Sequence, residues 1–209
     1  MKNPSPKPVE KKIVFTLKQL RAKAPDKKKA KVTTAREIDI PEGIQATRDG
    51  RFLVVKGPKG ELKREFFHRQ INVEIKDKKI LISTEEKKRK TKAVLGSWSS
   101  HMANMMAGVK KGWKCEMKLV FSHFPAKMSF KDREFTVQNF LGERAPRVTR
   151  LPADVNVKVD KENVTLTGVD KEIVGAASGK IERVTKIVGY DRRIFQDGCY
   201  ITKKTHLQE

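Results

Sequence analysis

The residues best suited to chemistry in this chain are paired cations set among aromatic and aliphatic side chains. From Tyr190 to Thr205 the sequence reads YDRRIFQDGCYITKKT, with Arg192-Arg193 and Lys203-Lys204 on either side of Asp197-Gly198. A solvated tail needs no apolar residues there, and a core strand needs no charge pairs. Both are explained if Ile194, Phe195, Tyr200 and Ile201 anchor the segment on a core. Asp197-Gly198 then forms a turn, and the four cations splay outward as phosphate ligands of defined geometry. Core packing is the expected fate of Tyr190 and Tyr200, with stacking on an unpaired base as the alternative.

Three further cation sets carry the same expectation. Lys56 to Leu62 reads KGPKGEL, a turn whose glycines admit positive φ. It is either a plain turn or a rigid hairpin tip presenting Lys56 and Lys59 to phosphate. Lys87 to Lys92 reads KKRKTK where a helix should begin. Cations there oppose the helix dipole by roughly 0.3–1 kcal/mol each, so Lys87, Lys88, Arg89 and Lys90 are either a solvated face or RNA contacts. In a second helix, steps of 100° per residue set Ala176, Gly179, Arg183 and Lys186 in one outward row, with Lys180 beside it. Small residues followed by cations admit a polyanion backbone closely and then hold it. The plainer alternative is that Gly175 and Gly179 serve close packing inside the protein.

No catalytic constellation accompanies these cations. Gly175 to Lys180, GAASGK, is the nearest approach to a phosphate-binding loop. It is one residue short between its glycines and lacks the hydroxyl that would hold a metal. His68, His101, His123 and His206 are scattered without ligand spacing, so packing or surface roles are expected of them. Cys115 and Cys199 form no CxxC pair, which indicates neither a structural zinc nor a disulfide framework and fits a reducing, cytoplasmic compartment. No metal, cofactor or small-molecule substrate is expected.

The charge asks for an anionic partner. Lys and Arg total 47 against 25 acids, a net charge of +22 over 209 residues. Self-repulsion on that scale works against compaction unless a polyanion neutralises it. An anionic membrane is disfavoured, because no apolar run approaches the ~20 residues of a span, and the N-terminus has no apolar core like that of a secretory signal. Residues 1–35 carry +9, with Pro4, Pro6, Pro8, Pro25 and the run Lys27-Lys28-Lys29. Beyond the short stretch Ile13 to Leu20 there is too little apolar surface to offset ordering. These residues are expected to form a basic extended arm that orders on its partner.

The elements that must position the cations are written twice. Ile71 to Ile82, INVEIKDKKILI, and Val155 to Leu166, VNVKVDKENVTL, each alternate apolar and polar residues across a polar break. Ile71, Ile75, Ile80 and Ile82 stand 84 residues before Val155, Val159, Val164 and Leu166, and Pro41 and Pro125 share that offset. Helical spacing follows each hairpin: Val94, Trp98, Met102, Met105 and Val109, then Ile173, Ala177, Ile181, Val184 and Val188, with Asp170 placed as a cap. Strand-like runs precede them at Gln45 to Lys56, Lys114 to Phe121 and Lys131 to Gln138. The expected fold is α+β, two tandem duplicated domains at 36–110 and 111–209. Each is a small antiparallel sheet packed with one helix, the second being the main RNA-binding domain.

These residues also resemble a known family. Ile40-Pro41, the stretch Val55 to Leu62, Ser100-His101, Asn104-Met105 and Gly108-Val109 are similar to the universal large-subunit ribosomal protein six, in eukaryotes large-subunit protein nine. His123-Phe124-Pro125, Asn139 to Glu143, Gly168 to Glu172, and Asp191, Arg192, Phe195, Asp197-Gly198 and Tyr200-Ile201 continue the likeness in order over about residues 36–207. The wording resembles the archaeal and eukaryotic branch. The resemblance implies a structural constituent of the large ribosomal subunit that binds large-subunit rRNA near the sarcin–ricin region and stalk base, beside neighbouring ribosomal proteins. It carries Lys171, Arg192, Arg193 and the Lys203-Lys204 end over as RNA contacts, whereas Arg183 and Lys186 rest on the helix row. A non-ribosomal RNA-binding module and a nucleic-acid-acting enzyme subunit are the alternatives.

Overall fold

The structure, a computed structural model, describes residues 34–76 and 78–208. The arm expected over residues 1–35 lies outside the described residues except for Thr34 and Ala35, which open the first strand. The first half runs β1 (Thr34–Asp39), β2 (Gln45–Asp49), β3 (Phe52–Gly57), β4 (Gly60–Glu65), β5 (Ile71–Lys76), β6 (Lys79–Thr84) and α1 (Arg89–Lys111). The second runs β7 (Trp113–Val120), β8 (Lys127–Lys131), β9 (Glu134–Gln138), a 3-10 turn (Phe140–Gly142) and β10 (Arg147–Arg150). It continues with β11 (Val155–Asp160), β12 (Asn163–Gly168), α2 (Lys171–Val184) and β13 (Gly198–Leu207).

The hairpin repeat is literal. Ile71 pairs with Thr84, Val73 with Ile82 and Ile75 with Ile80; adding 84 to each number gives Val155 with Gly168, Val157 with Leu166 and Val159 with Val164. Each half nevertheless builds two antiparallel sheets rather than the expected one. The first has β1-β6-β5 and β2-β3-β4; the second has β11-β12-β7-β13 and β8-β9-β10. The extra sheet arises because Gln45 to Lys56, which reads as one run, folds back at Gly50 with φ near +58°, pairing Asp49 with Phe52. In the second half Asp132 and Arg133 make the equivalent reversal with φ of 49° and 66°, the left-handed pair that matches strand twist.

Buried side chains separate into two cores. One is built from Leu53, Val55, Val73, Ile80, Ile82, Leu95, Met102 and Val109; the other from Cys115, Met117, Leu119, Phe135, Val137, Leu166, Val174, Ala177 and Ile181. Each helix turns its apolar stripe onto one core, at roughly 1.5–3 kcal/mol per fully buried large side chain. The Asp170 carboxylate caps α2 by accepting from the Glu172 amide at 2.8 Å. The helix stops at Val184, so Val188 is not part of the stripe. It is 77% exposed, and Ile187 is buried in its place. Cys115 and Cys199 are free buried thiols; burial pushes both up, Cys199 to about 12. No described helix is long and apolar enough to cross a membrane.

The halves meet at the end of α1. Within the first half the Val109 carbonyl accepts from the Lys59 amide at 3.1 Å, within the second the Gly112 carbonyl accepts from the Gln208 amide at 3.0 Å, and Lys59 Nζ reaches Gln208 Oε1 across the two. Gly57 lies under Val109, and a Cβ on Gly108 would collide with the Val169 carbonyl oxygen and stand 2.7 Å from Trp113 Nε1. Beside this joint the Glu172 carboxylate takes Arg64 at 2.6 Å and His101 at 2.9 Å. The Arg64 hydrogen bond, more than any other cause, holds Glu172 below the usual carboxylate range.

Two outcomes test the joint. Gly108→Ala should destabilise by about 1–3 kcal/mol, because a backbone oxygen cannot yield as a flexible side chain would; thermal unfolding measures it. Glu172→Gln should lower Tm by about 1–3 °C at neutral pH. A depressed carboxylate contributes stability above its unfolded value and loses it as pH falls through its folded value. The gap between wild type and Glu172→Gln should therefore close as pH drops below about 4.5.

Candidate nucleic-acid interface

Three cations of the second half, Arg183, Lys186 and Arg192, converge on one cleft. Gly179, Arg183, Lys186, Arg192 and Tyr200 line it together with Glu182, Thr185, Ile187, Gly198 and Cys199. The row read from 100° steps is real in its helical part. Ala176 and Arg183 are exposed, and a Cβ on Gly179 would meet nothing within 4 Å. Gly179 therefore serves no internal packing. Lys186 belongs to the loop just past the helix and is exposed, as is Lys180.

Polar side chains turned inward hold this cleft in shape. Thr185 Oγ1 accepts from the Cys199 amide at 3.0 Å, tying the end of α2 to the start of β13. Arg147 Nη1 donates to the Val184 and Lys186 carbonyls at 2.9 and 3.0 Å. Its Nε and Nη2 clasp both Glu143 oxygens at 2.8 and 2.6 Å. These hydrogen bonds push the Glu143 carboxyl down and the Arg147 guanidinium up. A guanidinium closing the carbonyls at a helix C-terminus is also favoured by the dipole. Sequence inspection missed Arg147. Its only signal was the Glu143–Arg147 spacing of four, which is weak because those residues lie outside a helix.

The segment after the cleft departs from expectation. Asp197-Gly198 is not a turn: Asp197 is buried, accepts from the Ser122 amide at 2.9 Å, and β13 begins at Gly198. The reversal is made by Asp191 instead. Its Oδ1 accepts from the Arg193 amide at 2.9 Å, and its carbonyl accepts from the Ile194 and Phe195 amides at 3.1 and 2.9 Å. Ile194 does not anchor the segment, being 73% exposed, and neither Tyr190 nor Tyr200 packs in the core, at 55% and 39% exposed. Phe195 and Ile201 do pack against it, beside buried Cys199. Arg192 and Arg193 are held on this tight turn facing solvent.

The remaining candidates lie elsewhere. Lys203 sits on β13 opposite Glu116, whose carboxylate also takes Lys114, so its charge is partly answered at 3.2 Å; Lys204 is exposed beside it. Lys171, at the other end of α2, lies 4.7 Å from the Trp113 ring centre. In the first half Lys56 pairs with Glu61 at 3.1 Å, and Lys59 docks at the α1 end with its Nζ on Gln208. Lys87, Lys88, Arg89 and Lys90 occupy the start of α1 with no acid in the first turn, Lys88 pairing with Glu86 at 2.7 Å. At 1.5 Å per residue, α1 holds that cluster roughly 30 Å from the joint. Lys114 and Lys118, which were not singled out, add to the face of β7 beside β13.

Comparison with known proteins bears on this arrangement. The family model described as ribosomal protein L6 matches residues 40–112 and 124–198, one segment in each half. The large ribosomal subunit protein uL6 of Methanothrix thermoacetophila is 43% identical over 169 residues, covering 81% of this chain and 96% of that protein. The protein of the same name from Methanospirillum hungatei is 41% identical, covering 83% and 99%. That of Haloarcula marismortui is 38% identical, covering 80% and 94%.

The openness at Gly179 has a direct check. Gly179→Ala should raise stability by about 0.5–1 kcal/mol, the ordinary helix-propensity gain, because the methyl enters free space. A lower thermal midpoint would mean that the glycine is filled from within.

Proposed function

The chain belongs to the ribosomal protein L6 family, and on that premise we propose that it is a structural, non-catalytic constituent of the large ribosomal subunit. It binds large-subunit rRNA near the sarcin–ricin region and the stalk base, beside neighbouring ribosomal proteins, in the cytoplasm. Residues 36–110 and 111–209 act as its two domains, the second supplying most of the RNA contact. The observation that carries this is the cleft where Arg183, Lys186 and Arg192 converge around an open Gly179.

The mechanism is clamping. Cations on a phosphate backbone supply affinity by counterion release, while rigid placement supplies register. The backbone that carries Arg192 and Arg193 is fixed by the Asp191 turn, and that of Arg183 and Lys186 by α2 and the Arg147 strut. Cations at the start of α1 oppose its dipole and are neutralised when phosphate arrives. The family relation and the charge of +22 support the same partner.

Replacing Arg192, Arg193, Lys203 and Lys204 with Ala should leave the fold intact and weaken binding to an rRNA fragment spanning the sarcin–ricin region. Each lost phosphate contact should flatten the salt dependence of log K by about 0.7–0.9. Lys203 should contribute least, since Glu116 already answers it. An unchanged slope would remove this end of the chain from the interface. In sedimented cell extract the protein should travel with large-subunit fractions.

A further inference from the structure

Val188, Tyr190 and Ile194 stand 77%, 55% and 73% exposed within seven residues. Isolated apolar side chains on a surface need no explanation, but three large ones on one short loop mark a contact. The loop is braced rather than loose. Asp191 fixes the turn through three acceptor contacts, and the Tyr190 ring leans on Phe195 with centroids 5.0 Å apart at 56°. Phe195 in turn packs on the second core.

We propose that this loop, residues 188–195, binds an unpaired RNA base, with Tyr190 as the stacking platform and Val188 and Ile194 flanking it. The inference rests on the RNA-binding function proposed above and adds the class of nucleotide recognised. Three features favour a base over a protein pocket. The turn carries Arg192 and Arg193 between its apolar residues, and the one acid inside it, Asp191, accepts from the turn's own amides through Oδ1 and its carbonyl. Arg192 also opens onto the cleft of Arg183 and Lys186, so a backbone held there passes beside the loop. A nucleotide that leaves its helix offers an apolar face joined to a phosphate, the same alternation this loop presents.

The experiment titrates the full chain with single-stranded oligoadenylate and, separately, with an RNA duplex of equal length, at one salt concentration. Tyr190→Ala should lower affinity for the single strand by about 5- to 100-fold and leave duplex affinity nearly unchanged. Tyr190→Phe should behave as wild type. The double variant Val188→Ser, Ile194→Ser should lower single-strand affinity in the same direction, and it stands in if Tyr190→Ala melts early. Equal losses on both RNAs, or none on either, would overturn the stacking role. If the wild-type chain binds neither RNA at low salt, the RNA-binding function itself fails, so the two failures are distinguishable.

Discussion

The close approach at the end of α1 is the constraint on which the rest of the structure depends. Gly108 lets the Val169 carbonyl and the Trp113 ring of the second half approach α1 closely, Gly57 makes room for the Val109 side chain within the first half, and Lys59 Nζ reaches Gln208 across the joint. Because the Val169 backbone oxygen meets a glycine of α1 here, the two halves pack at a distance that no side chain would allow. Flexible ion pairs alone could not fix it. The Glu172 clasp on Arg64 and His101 reinforces the joint at the surface, where a pair contributes little by itself but restrains rotation about it.

A second regularity concerns the acids. Around the cleft, Glu143, Asp191 and Asp197 are each occupied by an internal donor, while Arg183 and Arg192 face outward. These carboxylates are used for positioning, and that of Glu143 is also neutralised by the Arg147 guanidinium. Glu182 is the one acid lining the cleft. A basic surface assembled this way owes its shape to neutral and acidic residues that a count of lysines and arginines would pass over.

The duplicated hairpins and the two helical stripes were legible in the sequence because period-2 and period-3.6 patterns register directly which face is buried. Four sheets in place of two were not legible. The reversals at Gly50 and at Asp132-Arg133 interrupt apolar runs too briefly to show as loops. The outward row Ala176, Gly179 and Arg183 on α2 was readable from angular spacing alone. The loop after it was not, since Ile194 and Val188 look like core residues by type, and only the Asp191 turn and the early stop of α2 decide that they point outward. Arg147 and Thr185 escaped notice because their roles are long-range contacts to backbone, which leave no periodic trace.

The two cysteines carry a practical corollary. Both thiols are buried and weakly acidic, one of them pushed to about 12, so in the folded protein almost no thiolate is offered to an alkylating reagent. A single cysteine introduced on the surface would therefore be modified selectively without first stripping the native pair. Spectroscopic labels could then report distances across the molecule in its natural background.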